Sequence, residues 1–166
     1  MSELKRMYLQ DQEARRRLST IADPTKRMVS MLEVSLDDIG RLLTVLELIG
    51  KQEIIFGQDH LCAAVILHHS GVPALCQMAH EFALKAVAMD YRPETDEFDL
   101  KWLAAAALDR MLVQTGRPQS FGTQYNPETD ERYPVDPNIT DENRRQWNVR
   151  PLSGEGDKPL VGYGSE

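Results

Sequence analysis

The sequence predicts a mainly α-helical protein, a compact bundle of about five helices closing on a short C-terminal β-hairpin or extended GTQ segment. Three observations predict it. Apolar residues recur at helical spacing through most of residues 3–116. Asp23-Pro24, Gly50, Gly71-Val72-Pro73 and Gly116 break that pattern where helices would start or stop. Strand-like patterning comes only afterwards, in 121–126 and 131–135, across the turn-prone Pro127-Glu128-Thr129-Asp130.

Residues 3–18 form the first expected helix. Leu4, Met7, Tyr8 and Leu18 share one stripe, and Asp11 and Arg15 lie on it too. An i,i+4 ion pair normally sits on the wet side of a helix, so a pair among core positions is unusual. Pro24 starts a helical segment through residue 33, and Ser35-Leu36-Asp37-Asp38 is expected to cap a longer helix to residue 49. Leu32, Leu36, Ile39, Leu43 and Leu46 hold a heptad-like seam, expected as an intramolecular bundle face, and Gly50 ends it.

The connector 51–57 is expected to lay Ile54, Ile55 and Phe56 on the core. Residues 58–70 are a nearly all-apolar helix through LCAAVILHH. Adjacent helical residues point about 100° apart, so at most one of His68 and His69 is expected to face a shared interior site. The next helix runs to about residue 90, with Val72, Leu75, Cys76, Ala79, Phe82, Ala83, Ala86 and Val87 inward and His80 at the surface. Thr95 or Asp96 is expected to cap the last long helix, and 140–147 is a short capped one. Residues 1–152 make one domain, and the Gly-rich 153–166 is expected as a mobile tail.

Composition narrows the function classes. The net charge is −7, and the densest basic spot, Arg15-Arg16-Arg17, follows acidic residues, so no footprint for nucleic acid or anionic lipid is expected. No apolar run reaches membrane-span length and the N-terminus lacks the apolar stretch of a signal peptide, which points to the cytoplasm. Cys62 and Cys76 fall in apolar helical patterns without CxxC spacing and are expected as small buried hydrophobes.

The chemistry gathers around the last long helix. Leu100, Leu103, Ala104, Ala107, Leu108 and Met111 cover one side, and Trp102, Ala105, Ala106, Leu112 and Val113 the other. A helix apolar all round is a buried one. Yet it carries Asp109-Arg110, and burying charge costs several kcal/mol unless it is paired and hydrogen-bonded. With Asp11, Gln12, Arg15, His69, Gln119, Thr123 and Gln124, these residues are the candidates for a polar interior site. No HxxxH or ExxH spacing backs a metal site, no cofactor motif is present, and Gly116–Gly122 follows a helix whereas a phosphate loop precedes one.

At these residues the chain resembles the bacterial domain of unknown function 6624 family. That pattern has D-Q-x-x-R near the start, Q-H ending an apolar helix, then D-R and G-x-x-Q-x-Y-G-T-Q. Here they stand as Asp11-Gln12-Glu13-Ala14-Arg15, His68-His69, Asp109-Arg110, and Gly116-Arg117-Pro118-Gln119-Ser120-Phe121-Gly122-Thr123-Gln124, covering about residues 8–152. His68 replaces the family's Gln, Phe121 its Tyr, and Lys51-Gln52 a Trp-Pro. The family name implies no activity, so function is argued from the groups.

His69 with Asp109 is expected as an acid–base pair, the carboxylate orienting the imidazole. Asp11, Gln12, Arg15, Arg110, Gln119, Thr123 and Gln124 are expected to bind a small anionic metabolite. The competing expectation is a protein-interaction module whose Asp/Arg network only locks the fold.

Overall fold

Ser2 accepts the Lys5 N–H and opens α1, Glu3–Thr20. The structure, a computed structural model, describes residues 1–93 and 99–152. The helix continues past Tyr8, with Asp11 fully buried. Asp23 accepts from Lys26 N at 2.8 Å to cap α2, Pro24–Gly50. The break expected at residue 34 does not exist. Ser35 donates its hydroxyl back to Met31 O at 2.8 Å, a mid-helix bond, so it caps nothing.

Asp59 accepts the Phe56 N–H at the start of α3, Gly57–His69. Pro73 occupies the first turn of α4, Pro73–Ala88. Asp99, at 2.8 Å from Trp102 N, caps α5, Leu100–Gln114; the caps expected at Thr95 or Asp96 lie outside the described residues, as does 153–166. Thr140 caps the short α6, Asp141–Gln146.

Packing follows the apolar faces. α4 lies between α3 and α5, while α1 and α2 cover the other side of α3. Every residue of α3 from His60 to His68 is buried, because α1, α2 and α4 surround it. α5 is apolar all round because it has two coverings. Leu103, Ala104 and Ala107 join the main core. Ala105, with Trp102 and Leu108, meets Phe121, Ile139, Trp147 and Val149 of the C-terminal segment. Cys62 and Cys76 are buried free thiols, and burial pushes the Cys62 thiol up to about 12.

Several sequence expectations need correction. The C-terminal hairpin is reduced to isolated bridges, Tyr125 with Arg132 antiparallel and Gln119 with Val135 parallel, with no strand among the described residues. The reason is Gln119, fully buried between the two arms. Its amide donates to Gln124 O at 3.0 Å and Tyr133 O at 2.8 Å, and accepts from Gln124 N at 2.8 Å. One side chain thus takes ladder bonds that a neighbouring backbone would otherwise make.

Ile55, Phe56 and Val72 face solvent, and only Ile54 of the connector packs on the core. His80 is partly buried, its Nδ1 at 2.8 Å from Ala104 O. The α2 seam is the largest departure. Leu46 packs inward, but Leu32, Leu36, Ile39 and Leu43 are 56–71% exposed. α2 turns its opposite face, Val34, Asp38, Arg41 and Val45, toward the rest of the fold. No helix among the described residues is long and apolar enough to cross a membrane.

Candidate functional site

Asp109 is the anchor of the loop that leaves α5. Its carboxylate accepts the N–H groups of Ser120 at 2.7 Å, Phe121 at 2.9 Å and Thr123 at 3.0 Å, and the Thr123 hydroxyl at 2.8 Å. Gly122 lies inside this wrap at φ +83°, where a side chain is strained, and a Cβ there would meet Leu152, Arg132 and Val135. Burial pushes the Asp109 carboxyl above its ordinary value, and the donors from Phe121, Thr123 and Ser120 pull it back part of the way. Phe121 stacks on Trp147 at 5.2 Å, and Arg144, almost fully buried, donates to Phe121 O and Ile139 O. Asp109, Gln119 and Thr123 are therefore builders of the loop.

The expected acid–base pair is divided. Asp109 gives its oxygens to the loop, and the carboxylate at the His69 ring is Asp11, whose oxygens are 3.1 Å from Nδ1. The helix geometry explains this. His69 ends α3 against α1, whereas Asp109 looks from α5 toward its own C-terminal loop. Asp11 and His69 come from elements far apart in sequence, and their side chains are nearly water-free.

Around that pair the charges form a chain. Arg15 reaches Asp11 Oδ1 at 2.7 Å and Asp38 Oδ2 at 2.9 Å, and Asp38 also holds Arg41 at 2.7 Å. Gln12 donates to Asp11 Oδ2 at 2.9 Å. Burial would raise the Asp11 carboxyl, but His69, then Arg15 and Gln12, hold it below its ordinary value. Asp38 and Arg41 were not among the sequence candidates. Their signal was the i,i+3 pairing on the opposite side of α2 from the leucine seam.

On the far side of the histidines stands Arg110. It donates from Nη1 to His68 O at 3.1 Å and from Nε to Gln124 Oε1 at 3.1 Å, both neutral acceptors. Gln124 is held in turn by Ala106 O and the Thr123 hydroxyl. Among the described residues no carboxylate pairs with Arg110, which remains partly exposed. Burial lowers its pKa, and nearby Arg15 adds to the effect.

His68 is missing from the sequence candidates because at most one of two adjacent helical residues is expected to face the site. It is fully enclosed, and its Nδ1 has no hydrogen-bond partner among the described residues. Burial, then Arg110, holds its pKa well below the ordinary value. Burial also lowers His69, although Asp11 opposes it; Arg15 and Arg110 push the same way as burial. Both imidazoles are neutral at pH 7.

The site thus brings together Asp11, Gln12, Arg15, His69, Arg110 and Gln124, adds His68, Asp38 and Arg41, and leaves Asp109, Gln119 and Thr123 behind it as support. No family model matches the chain, and no curated protein or solved structure matches it.

Proposed function

We propose that this is a cytoplasmic protein that binds a small anionic metabolite at Arg110, with Arg15, Gln124 and the two histidines around it. One observation carries the reading: Arg110 is a largely desolvated guanidinium with only neutral acceptors among the described residues, beside two imidazoles pushed toward the neutral form. Across the cluster, Arg15, Arg41 and Arg110 face Asp11 and Asp38, leaving one positive charge in excess. Burying uncompensated charge is expensive, and an incoming carboxylate or phosphate would compensate it through the planar guanidinium fork.

His69 then has the chemistry of an acid–base group. With Nδ1–H directed at Asp11, the lone pair is on Nε2, and an anion nearby favours protonation of the ring. Asp11 takes the orienting part first expected of Asp109. The test is calorimetric titration of the purified chain with inorganic phosphate and with acetate at pH 6 and 8. Binding tightens at pH 6, takes up protons, and is lost in Arg110→Met. Equal affinity in wild type and Arg110→Met overturns the reading.

A second reading, an interaction module locked by a structural network, is favoured by Asp109, whose carboxylate accepts from Ser120, Phe121 and Thr123 of its own loop. It predicts that His69→Gln costs as much stability as Asp109→Asn. The binding-site reading predicts that His69→Gln costs far less.

A further inference from the structure

The outer face of α2 carries an apolar stripe that nothing among the described residues covers. Val29, Leu32, Leu36, Ile39 and Leu43 are 48–71% exposed, with Met28 and Met31 beside them. Their spacing alternates three and four residues, the interval of a coiled-coil seam. α1 offers little apolar cover at this height, because beyond Tyr8 it reads LQDQEARRRLST with Leu18 half-buried, and the inward face of α2 is committed to Arg15 through Asp38. Seven aliphatic side chains exposed by 48–71% amount to on the order of 400 Å² of apolar surface, the size of a functional patch.

We infer that this stripe is the contact of a symmetric dimer, in which α2 packs antiparallel against α2 of a second copy. Three features select a second copy in this orientation. The first is layer matching. Setting Leu36 against Ile39 of the second copy places Leu43 against Leu32, so apolar meets apolar in the central layers of the seam and the two-fold axis passes between residues 37 and 38.

The second is charge. On the flank of that register Lys26 of each copy falls beside Glu47 of the other, twice by symmetry, and Glu47 already holds Lys51. Glu33 falls beside Gly40, which borders an open groove of about 570 Å³ between α1 and α2 whose charged lining is balanced, Arg6, Arg17 and Arg41 against Glu3, Glu13 and Asp37. No like charges oppose each other along this flank. A parallel pair would set Glu33 and Glu47 beside Met28 and Leu42 and gain no ion pair.

The third is area. At about 65% apolar composition, two stripes make an interface of roughly 1,200 Å², the lower edge for a stable pair. This inference is independent of the anion site, since the stripe lies on the opposite face of α2 from Asp38.

Sedimentation velocity of the full chain between about 1 and 100 μM tests it, a range that brackets micromolar affinity. A concentration-dependent dimer is expected. Leu36→Glu, at a position already 71% exposed in the single chain, should keep the wild-type helical signal and melting temperature and weaken the dimer about 30-fold or more. Lys26→Glu should weaken it about fivefold, and Lys26→Glu with Glu47→Lys should restore it. A chain monomeric throughout overturns the inference and leaves the stripe to another partner. A dimer indifferent to Leu36→Glu overturns it as well. A dimer that Leu36→Glu abolishes but the charge swap ignores overturns the antiparallel register.

Discussion

Asp109→Asn exchanges one atom and should unpick the C-terminal loop. The native carboxylate meets four donors, three of them main-chain N–H groups that cannot turn round. An asparagine offers one oxygen and one NH₂. With the oxygen kept under Ser120 and Phe121, the NH₂ faces Thr123, whose hydroxyl can rotate to accept but whose N–H cannot. That leaves at least one buried donor opposed, at about 1.5–3 kcal/mol for a bond to a charged acceptor. The reverse orientation strands the Ser120 N–H and leaves the Phe121 N–H its longer bond of 3.2 Å. Against this, burial holds the Asp109 carboxyl above its ordinary value, so removing its charge returns part of the cost. The net loss is about 2 kcal/mol. Urea unfolding at pH 7 reads it, followed by far-UV circular dichroism and by tryptophan fluorescence, since Trp147 stacks on Phe121 of this loop. With a slope of about 1–3 kcal/mol/M the midpoint falls by roughly 1 M and the slope stays constant. An unchanged or higher midpoint would refute the assignment of Asp109 as the loop's anchor.

Other variants separate support from site. Arg110→Met removes two bonds to neutral acceptors together with a costly charge, so thermal melts should stay within about 1 kcal/mol of wild type, while phosphate binding is lost. His68→Gln addresses pH dependence. Both histidines have folded pKa values below the ordinary value, so their neutral forms favour the fold, fully above about pH 6.5 and progressively less as pH falls. Urea midpoints at pH 7.5 and 5.5 should differ in wild type and differ less in His68→Gln, where the His69 contribution remains. Asp11 is shifted down, so its contribution holds above about pH 4 and is lost as pH falls further. Asp11→Asn should cost about 3–5 kcal/mol at pH 7, and acid titration should narrow the gap. Gly122→Ala meets both positive φ and a Leu152 contact at 3.2 Å, and melts should show a loss of at least about 1 kcal/mol.

Much of this was legible in the sequence, and the misses share a physical cause. Periodicity found the helices because a buried face must be apolar, and it found Asp11, Arg15, Asp109 and Arg110 because each interrupts such a face. Periodicity cannot say which element covers which face. Asp109 was paired with His69 since both sit on buried helices, but α5 turns Asp109 toward a loop eleven residues downstream, whereas α1 delivers Asp11 to His69 across fifty-eight. Gln119 shows the same limit: an alternating pattern suggests a hairpin, and only the fold reveals a side-chain amide standing in for the ladder. The α2 seam was expected inside because leucines at heptad spacing usually are. What reversed it was Asp38, whose carboxylate pairs with Arg15 of α1 and is held from its own helix by Arg41, fixing the rotation of α2.

The most direct test of the anion site is the titration of His69 by NMR of its ring nitrogens, with and without about 20 mM inorganic phosphate at matched ionic strength. Arg110 and Arg15 both push His69 toward neutrality, and a bound anion would cancel that push. The account predicts an upward move of the His69 midpoint in phosphate, absent in Arg110→Met. The same midpoint with and without phosphate in the wild-type protein would contradict it.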